Sequence, residues 1–354
     1  MTRTGGNGMP RRAIVSWATA AASALLLSAC SSAPVQTATA PAPITIAEDL
    51  DAPWSMVLYG DTLLVSERDT ARVLELDETG DVHEVGVIDD VAPGGEGGLL
   101  GLAVREDELY TYFTADDGNR VERRPILGEA GELSLGQPTA VIDGIPSASN
   151  HNGGRIAFGP DGMLYVTTGD AGERDSAQDL DALSGKILRL TPDGGIPDDN
   201  PFRGSPVYSY GHRNPQGIGW DAEGTMYASE FGQDTWDELN IIEPGGNYGW
   251  PEAEGIAGGV GFIDPVQQWR PADASPSGIA VTGSAILIAN LRGERLRRVP
   301  LDDLSTSTEE YVGEFGRLRD VIATTGGVWM LTNNTDGRGD PAEGDDRIVL
   351  VPSD

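Results

Sequence analysis

The 354-residue chain has only three histidines. One of them, His151, sits in Asn150-His151-Asn152-Gly153-Gly154-Arg155. Glycines beside it allow close backbone approach and keep the ring out of a packed interior. A neutral imidazole so placed can act as a general base. His83 falls in an outer-strand context and reads as structural, while His212, within Gly211-His212-Arg213-Asn214-Pro215-Gln216-Gly217, reads as a satisfied partner of its own loop. A second chemistry is suggested by Glu230 to Glu238, followed by Gly245 to Pro251. Carboxylates beside the exposed carbonyls of a glycine-rich loop are hard-cation ligands, which suit calcium better than zinc; a solvated charged face is the alternative. Asp170 to Asp181 reads as a surface loop or another metal site. The chain contains no G-x-S-x-G, no phosphate-binding glycine loop before a helix and no H-E-x-x-H, so serine-hydrolase, nucleotide and zinc-protease chemistry have no support.

The elements that must position these residues follow from self-similarity. A turn with Gly or Asp, an apolar strand, a polar break and a shorter strand recur six times, with copies starting at Asp61, Asp107, Asp161, Glu223, Ser284 and Gly326. Each copy is preceded by another short apolar strand, and none carries an amphipathic helical run. This predicts an all-β fold, a six-bladed β-propeller with four-stranded antiparallel blades. In such a ring the residues just before each innermost strand converge on one mouth of the central channel. They are Glu96, His151, Arg213 with Asn214, Ser277, and Arg317 with Arg319. A histidine, an asparagine and three arginines meeting there predict a pocket for an anionic ligand. Asp336-Gly337-Arg338-Gly339-Asp340 and Asp345-Asp346 read as turns of the closing blade.

Composition narrows the function classes. With 24 Lys+Arg against 56 Asp+Glu the formal charge is −32, which repels phosphate backbones and excludes sequence-independent nucleic-acid binding. A single cysteine excludes an internal disulfide framework and a cysteine zinc site. Arg3, Arg11 and Arg12 precede the mostly apolar stretch Ala13 to Leu27, an export-signal pattern with an apolar run shorter than the ~20 residues that span a bilayer. Leu27-Ser28-Ala29-Cys30 resembles the bacterial lipobox. The expected organisation is therefore a signal over residues 1–29, a flexible tether over 30–43 starting at lipidated Cys30, and one propeller over 44–354. The mature chain would be anchored to the outer face of the cell membrane.

Taken together, several motifs resemble the soluble quinoprotein glucose/sorbosone dehydrogenase group. They are Gly94-Gly95-Glu96-Gly97-Gly98-Leu99-Leu100-Gly101, His151-Asn152-Gly153-Gly154-Arg155, Gly185-Lys186-Ile187-Leu188-Arg189, Gly211 to Gly217, Asp237-Glu238-Leu239-Asn240, Gly246 to Pro251 and Gly316-Arg317-Leu318-Arg319-Asp320. The resemblance covers roughly residues 45 to 352. It implies an aldose dehydrogenase that uses pyrroloquinoline quinone (PQQ) and calcium, oxidising the anomeric carbon to a lactone and passing electrons to an extracellular acceptor. By the same resemblance His151 is the proton acceptor, Arg213 and Asn214 contact the quinone, Arg292 stands where a cofactor-binding lysine is common, and Arg317 and Arg319 bind PQQ carboxylates. The backbone of Gly232 and Gln233 would hold the catalytic calcium; Glu238 and the carbonyl of Tyr248 would hold a structural one. Three positions depart from the family pattern. Glu96 stands among the cofactor-binding positions where Gln is common, Phe231 replaces a polar residue, and Glu254 to Gly261 lacks an aromatic that covers the cofactor in some relatives. Two other functions share parts of the pattern, a non-catalytic calcium-binding propeller and a calcium-dependent lactonase.

Overall fold

The computed structural model describes residues 42–77, 80–259 and 261–353. The signal over residues 1–29 and Cys30 lie outside the described residues, as does the tether through residue 41.

Six sheets form the ring, each with four antiparallel strands in its main path. The innermost strands are Pro53–Tyr59, Leu99–Arg105, Ile156–Phe158, Pro215–Trp220, Pro276–Val281 and Leu318–Thr324. The strands that open the six predicted copies are all present as the second strands of the blades, among them Thr62–Glu67, Leu164–Thr168 and Ala285–Asn290. The sixth blade is completed from the other end of the chain. Ile44–Ala47 pairs with Ile348–Pro352, so the first strand is the outermost strand of the last blade. Asp346 fastens this closure: its carboxylate accepts Thr332 Oγ1 and the Thr335 amide and hydroxyl, and its backbone pairs with Leu50 in both directions.

The apolar residues divide into six clusters, one at each interface between neighbouring blades. Successive side chains of a strand point to opposite faces, so each second strand feeds two clusters. Leu164 and Val166 pack toward the second blade while Tyr165 packs toward the fourth. Leu287 and Ala289 face the sixth blade while Ile286 and Ile288 face the fourth. A strand covered on both faces reads as a continuous apolar run, which is why Ala285–Asn290 is buried throughout. Burial shared among six thin layers lets 39% hydrophobic residues suffice.

The turns have a local cause. In the third blade Asp161 accepts from the Met163 amide and the Tyr165 hydroxyl. Asp221 accepts in the same way from Glu223, Thr225 and Tyr227 in the fourth. An aspartate that caps its own turn fixes the hairpin between first and second strands, and those hairpins bring the loops to one face.

Candidate active site

His151 precedes the first strand of the third blade and Asp170 follows the second. The register Ile156↔Val166 of that hairpin brings the two ends together. His151 Nδ1 meets Asp170 Oδ1 at 2.7 Å. Asp170 also accepts from Trp250 Nε1 at 2.8 Å and from the Gly172 amide at 2.9 Å. Burial pushes the Asp170 carboxyl upward, but the bonds from His151, Gly172 and Trp250 hold it below its ordinary value. An ionised Asp170 can only accept, so Nδ1 carries the proton and Nε2 holds the lone pair. Nε2 has no protein partner among the described residues. His151 adopts φ 58°, held by its amide on Glu96 Oε2 and its carbonyl on the Ala171 amide. Gly169 has to be glycine, because a Cβ there would lie 2.0 Å from the His151 carbonyl oxygen.

His151 opens onto a cleft of about 240 Å³ lined also by Glu96, Arg213, Gly232, Gln233, Asp237, Arg292, Arg317 and Arg338. Four arginines against two carboxylates make it a cationic site in a strongly acidic chain. Arg213 is half-buried; its Nη1 donates to the Phe231 carbonyl, and its buried Nε has no hydrogen-bond partner. Burial lowers its pKa. The backbone amides of Arg213 and Asn214 both donate to Glu230 Oε1. Arg292 is exposed and has no ion pair among the described residues. Asn214 stands behind the cleft, accepting from the Gly153 amide at 3.0 Å, while its buried Nδ2 is unpartnered.

Arg319 lies deeper than the sequence suggests. It lines a small cavity beneath the cleft with Trp54, Arg68, Gln216 and Phe231, and its guanidinium is engaged by Asn333 Oδ1 and Gln216 Oε1. Burial pushes its pKa down to about 9. Ser277 sits at this level too, beside Arg319 rather than in the cleft. Trp54 forms part of the floor, with the Arg155 guanidinium 4.3 Å from its ring centre. Arg317 lines the cleft itself while pairing with Asp336 at 3.0 Å.

Glu238 and Tyr248 line a third, water-sized cavity together with Glu230, Gly232 and Glu254. Burial, then the neighbouring Glu230, raises the Glu238 carboxyl. Its oxygens accept from the Gly255 amide and Asn240 Nδ2. The Glu254 carboxylate gathers the amides of Gln233, Asp234, Thr235 and Trp236, and the carbonyls of Gly232, Gln233 and Tyr248 accept no hydrogen bond among the described residues. Among those residues no three His, Cys, Asp or Glu side chains converge as a metal cluster. Backbone oxygens would have to complete any calcium shell, and oxygen donors beside buried, unneutralised carboxylates are the chemistry calcium takes.

The stretch beyond Asp170 is largely a surface loop, as expected, but Asp170 itself is the partner of His151: hairpin register folds it inward, with its side chain fully buried. Likewise Asp336 and Arg338 do more than close a blade, since Arg338 lines the cleft and the buried Asp336 pairs with Arg317. His212 behaves as expected, held between Ser209 and Glu230 and stacked on Tyr248. Spacing could have revealed Asp170, because an antiparallel hairpin pairs residues symmetrically about its turn.

Residues 50–339 match the family described as Glucose / Sorbosone dehydrogenase. The chain belongs to this family. Among solved structures, the PQQ-bound aldose sugar dehydrogenase of Streptomyces coelicolor is 51% identical, with a TM-score of 0.83 over 87% of this chain and 96% of that one. Quinoprotein glucose dehydrogenase B of Acinetobacter calcoaceticus is 32% identical over 61% of this chain and 54% of its own length. The aldose sugar dehydrogenase of Escherichia coli is 32% identical over 63% of this chain and 66% of its own. The chain thus spans between about half and two thirds of these two curated relatives. In this family member the unpaired Arg292, the orphaned Arg213 Nε and the histidine with one ring nitrogen unbonded suit a planar polycarboxylate quinone.

Proposed function

We propose that the protein is a PQQ- and calcium-dependent dehydrogenase that oxidises aldose sugars at the anomeric carbon to lactones. The observation that carries this reading is His151, held through Nδ1 by Asp170 with Nε2 free, at a cleft ringed by arginines. When bound, PQQ supplies a two-electron acceptor and calcium a Lewis acid. Arg213, Arg292 and Arg317 would hold PQQ from the cleft, with Asn214 behind it, Arg319 below it and Glu96 at the rim of its site. The carbonyls of Gly232 and Gln233 would hold the catalytic calcium, and Glu238 with the Tyr248 carbonyl a second ion. His151 Nε2 takes the proton of the anomeric hydroxyl, and the ionised Asp170 stabilises the imidazolium that results. Arg213 then lies where negative charge develops, as a preorganised donor. Arginines rather than carboxylates around the cleft favour oxidation over calcium-dependent lactone hydrolysis.

The test is reconstitution of the purified protein with PQQ and calcium, followed by dye reduction across a panel of aldoses. A shifted quinone absorbance and sugar-dependent reduction are expected. Absence of both would overturn the reading, and lactone hydrolysis without PQQ would replace it with the lactonase.

The address is part of the proposal. The basic start, short apolar run and Leu27-Ser28-Ala29-Cys30 support export and lipid anchoring at Cys30. Electrons would then leave to an acceptor outside the cell. Incorporation of labelled fatty acid into the wild type but not into Cys30→Ala is the expected result; equal labelling of both would refute the anchor.

A further inference from the structure

Arg338 is not among the anion-binding positions read from the sequence, yet it reaches across the cleft. Its Nη1 donates to Glu96 Oε1 at 2.9 Å, joining the sixth blade to the second over 242 positions of chain. The other oxygen, Glu96 Oε2, accepts the His151 amide at 2.8 Å. One carboxylate therefore links Arg338 to the backbone of the base. The crossing segment is anchored from below. Asp336, whose side chain is fully buried, binds Arg317 Nη2 at 3.0 Å and accepts the Arg338 amide at 2.9 Å. Burial raises the Asp336 carboxyl, but Arg317 and Arg319 hold it below its ordinary value. Arg338 and Glu96 both line the main cleft and the small cavity under it. The Arg338 side chain is 51% exposed, and its other guanidinium N–H groups make no hydrogen bond among the described residues.

A bare carboxylate at Glu96 would repel a polycarboxylate ligand. A guanidinium can neutralise it and still engage a second carboxylate, because its donors are arranged as a planar fork. We infer that Arg338 is a further anion-binding residue of the cleft, which neutralises Glu96 and offers its remaining N–H groups to a carboxylate of the bound quinone. This rests on the reading of the cleft as the seat of PQQ. The pair is a strap between distant blades that makes an acidic residue at position 96 compatible with an anionic cofactor.

The experiment measures PQQ binding to the full purified protein by quenching of tryptophan fluorescence, in equilibrium and stopped-flow form, at low and high salt. It compares the wild type with Arg338→Ala, Glu96→Gln and the double variant, each checked for an unchanged thermal melt. Arg338→Ala should weaken binding by about tenfold, mainly through a slower and less salt-sensitive association. Glu96→Gln in the same chain should recover most of that loss, because the two side chains are coupled. The strap alone is overturned if the wild type binds PQQ and Arg338→Ala binds equally well, or if Glu96→Gln recovers nothing. If the wild type takes up no PQQ, the functional reading fails and the strap fails with it.

Discussion

His151→Ala should lower aldose oxidation by about 10²- to 10⁴-fold, the usual worth of a positioned general base, while PQQ binding changes little. The split follows from where the side chain's contacts lie. Among the described residues the ring's one hydrogen bond is from Nδ1 to Asp170, and Nε2 is left for substrate. The arginines that line the cleft, Arg213, Arg292 and Arg317, make no hydrogen bond to the imidazole among the described residues. Removing the ring should thus delete proton acceptance without emptying the cleft. The His151 amide on Glu96 is a backbone bond and survives the substitution. Steady-state dye reduction measures the first effect and the quinone absorbance of the reconstituted variant the second. Near-normal turnover would remove His151 from the reaction.

Asp170→Asn should produce a loss of similar size by a different route, about 10²- to 10⁴-fold in kcat with KM nearly unchanged. The variant keeps the shape of the side chain but can donate to Nδ1, which favours the tautomer whose Nε2 already carries a proton. Loss of the carboxylate also removes the charge that would stabilise an imidazolium, so the loss should fall on kcat rather than on substrate binding. Stability provides an independent check. The folded Asp170 carboxyl lies below its ordinary value near 3.8, so its contribution is complete above that value and is lost as pH falls through the lowered one. Asp170→Asn should lack this acid-side loss in a urea titration. A variant whose kcat matches the wild type would separate Asp170 from catalysis.

How far the site was legible depended on the distance over which each contact is made. The edge positions just before the inner strands could be listed from the repeat pattern, and the cleft contains Glu96, His151, Arg213 and Arg317 from that list. Asp170 was within reach too, since a two-strand hairpin returns the chain to where it began. It was hidden because a carboxylate-rich stretch ordinarily reads as a solvated face. Trp250 lies in the Gly246 to Pro251 loop motif, but its indole N–H reaches Asp170 from 80 residues away. Nothing in the local sequence announces that bond. Arg319 shows the opposite error. Its position two residues from Arg317 predicts the same surface, whereas the start of the strand carries it down to Asn333 and Gln216.

By itself the sequence determined the blades and the kind of chemistry. Local rules suffice for that, because turn aspartates, period-two alternation and glycine positions act within each repeat. The tertiary structure decided which charges are available. Arg189 carries the same side chain as Arg213, yet it is occupied by Asp161 and Asp199, while Arg213 has no ion pair among the described residues and keeps an unpartnered Nε in the cleft. Closure of the ring brought residue 338 to residue 96 and laid the first strand along the last. Those pairings join segments separated by most of the chain, and their geometry is set only when six blades pack around one axis.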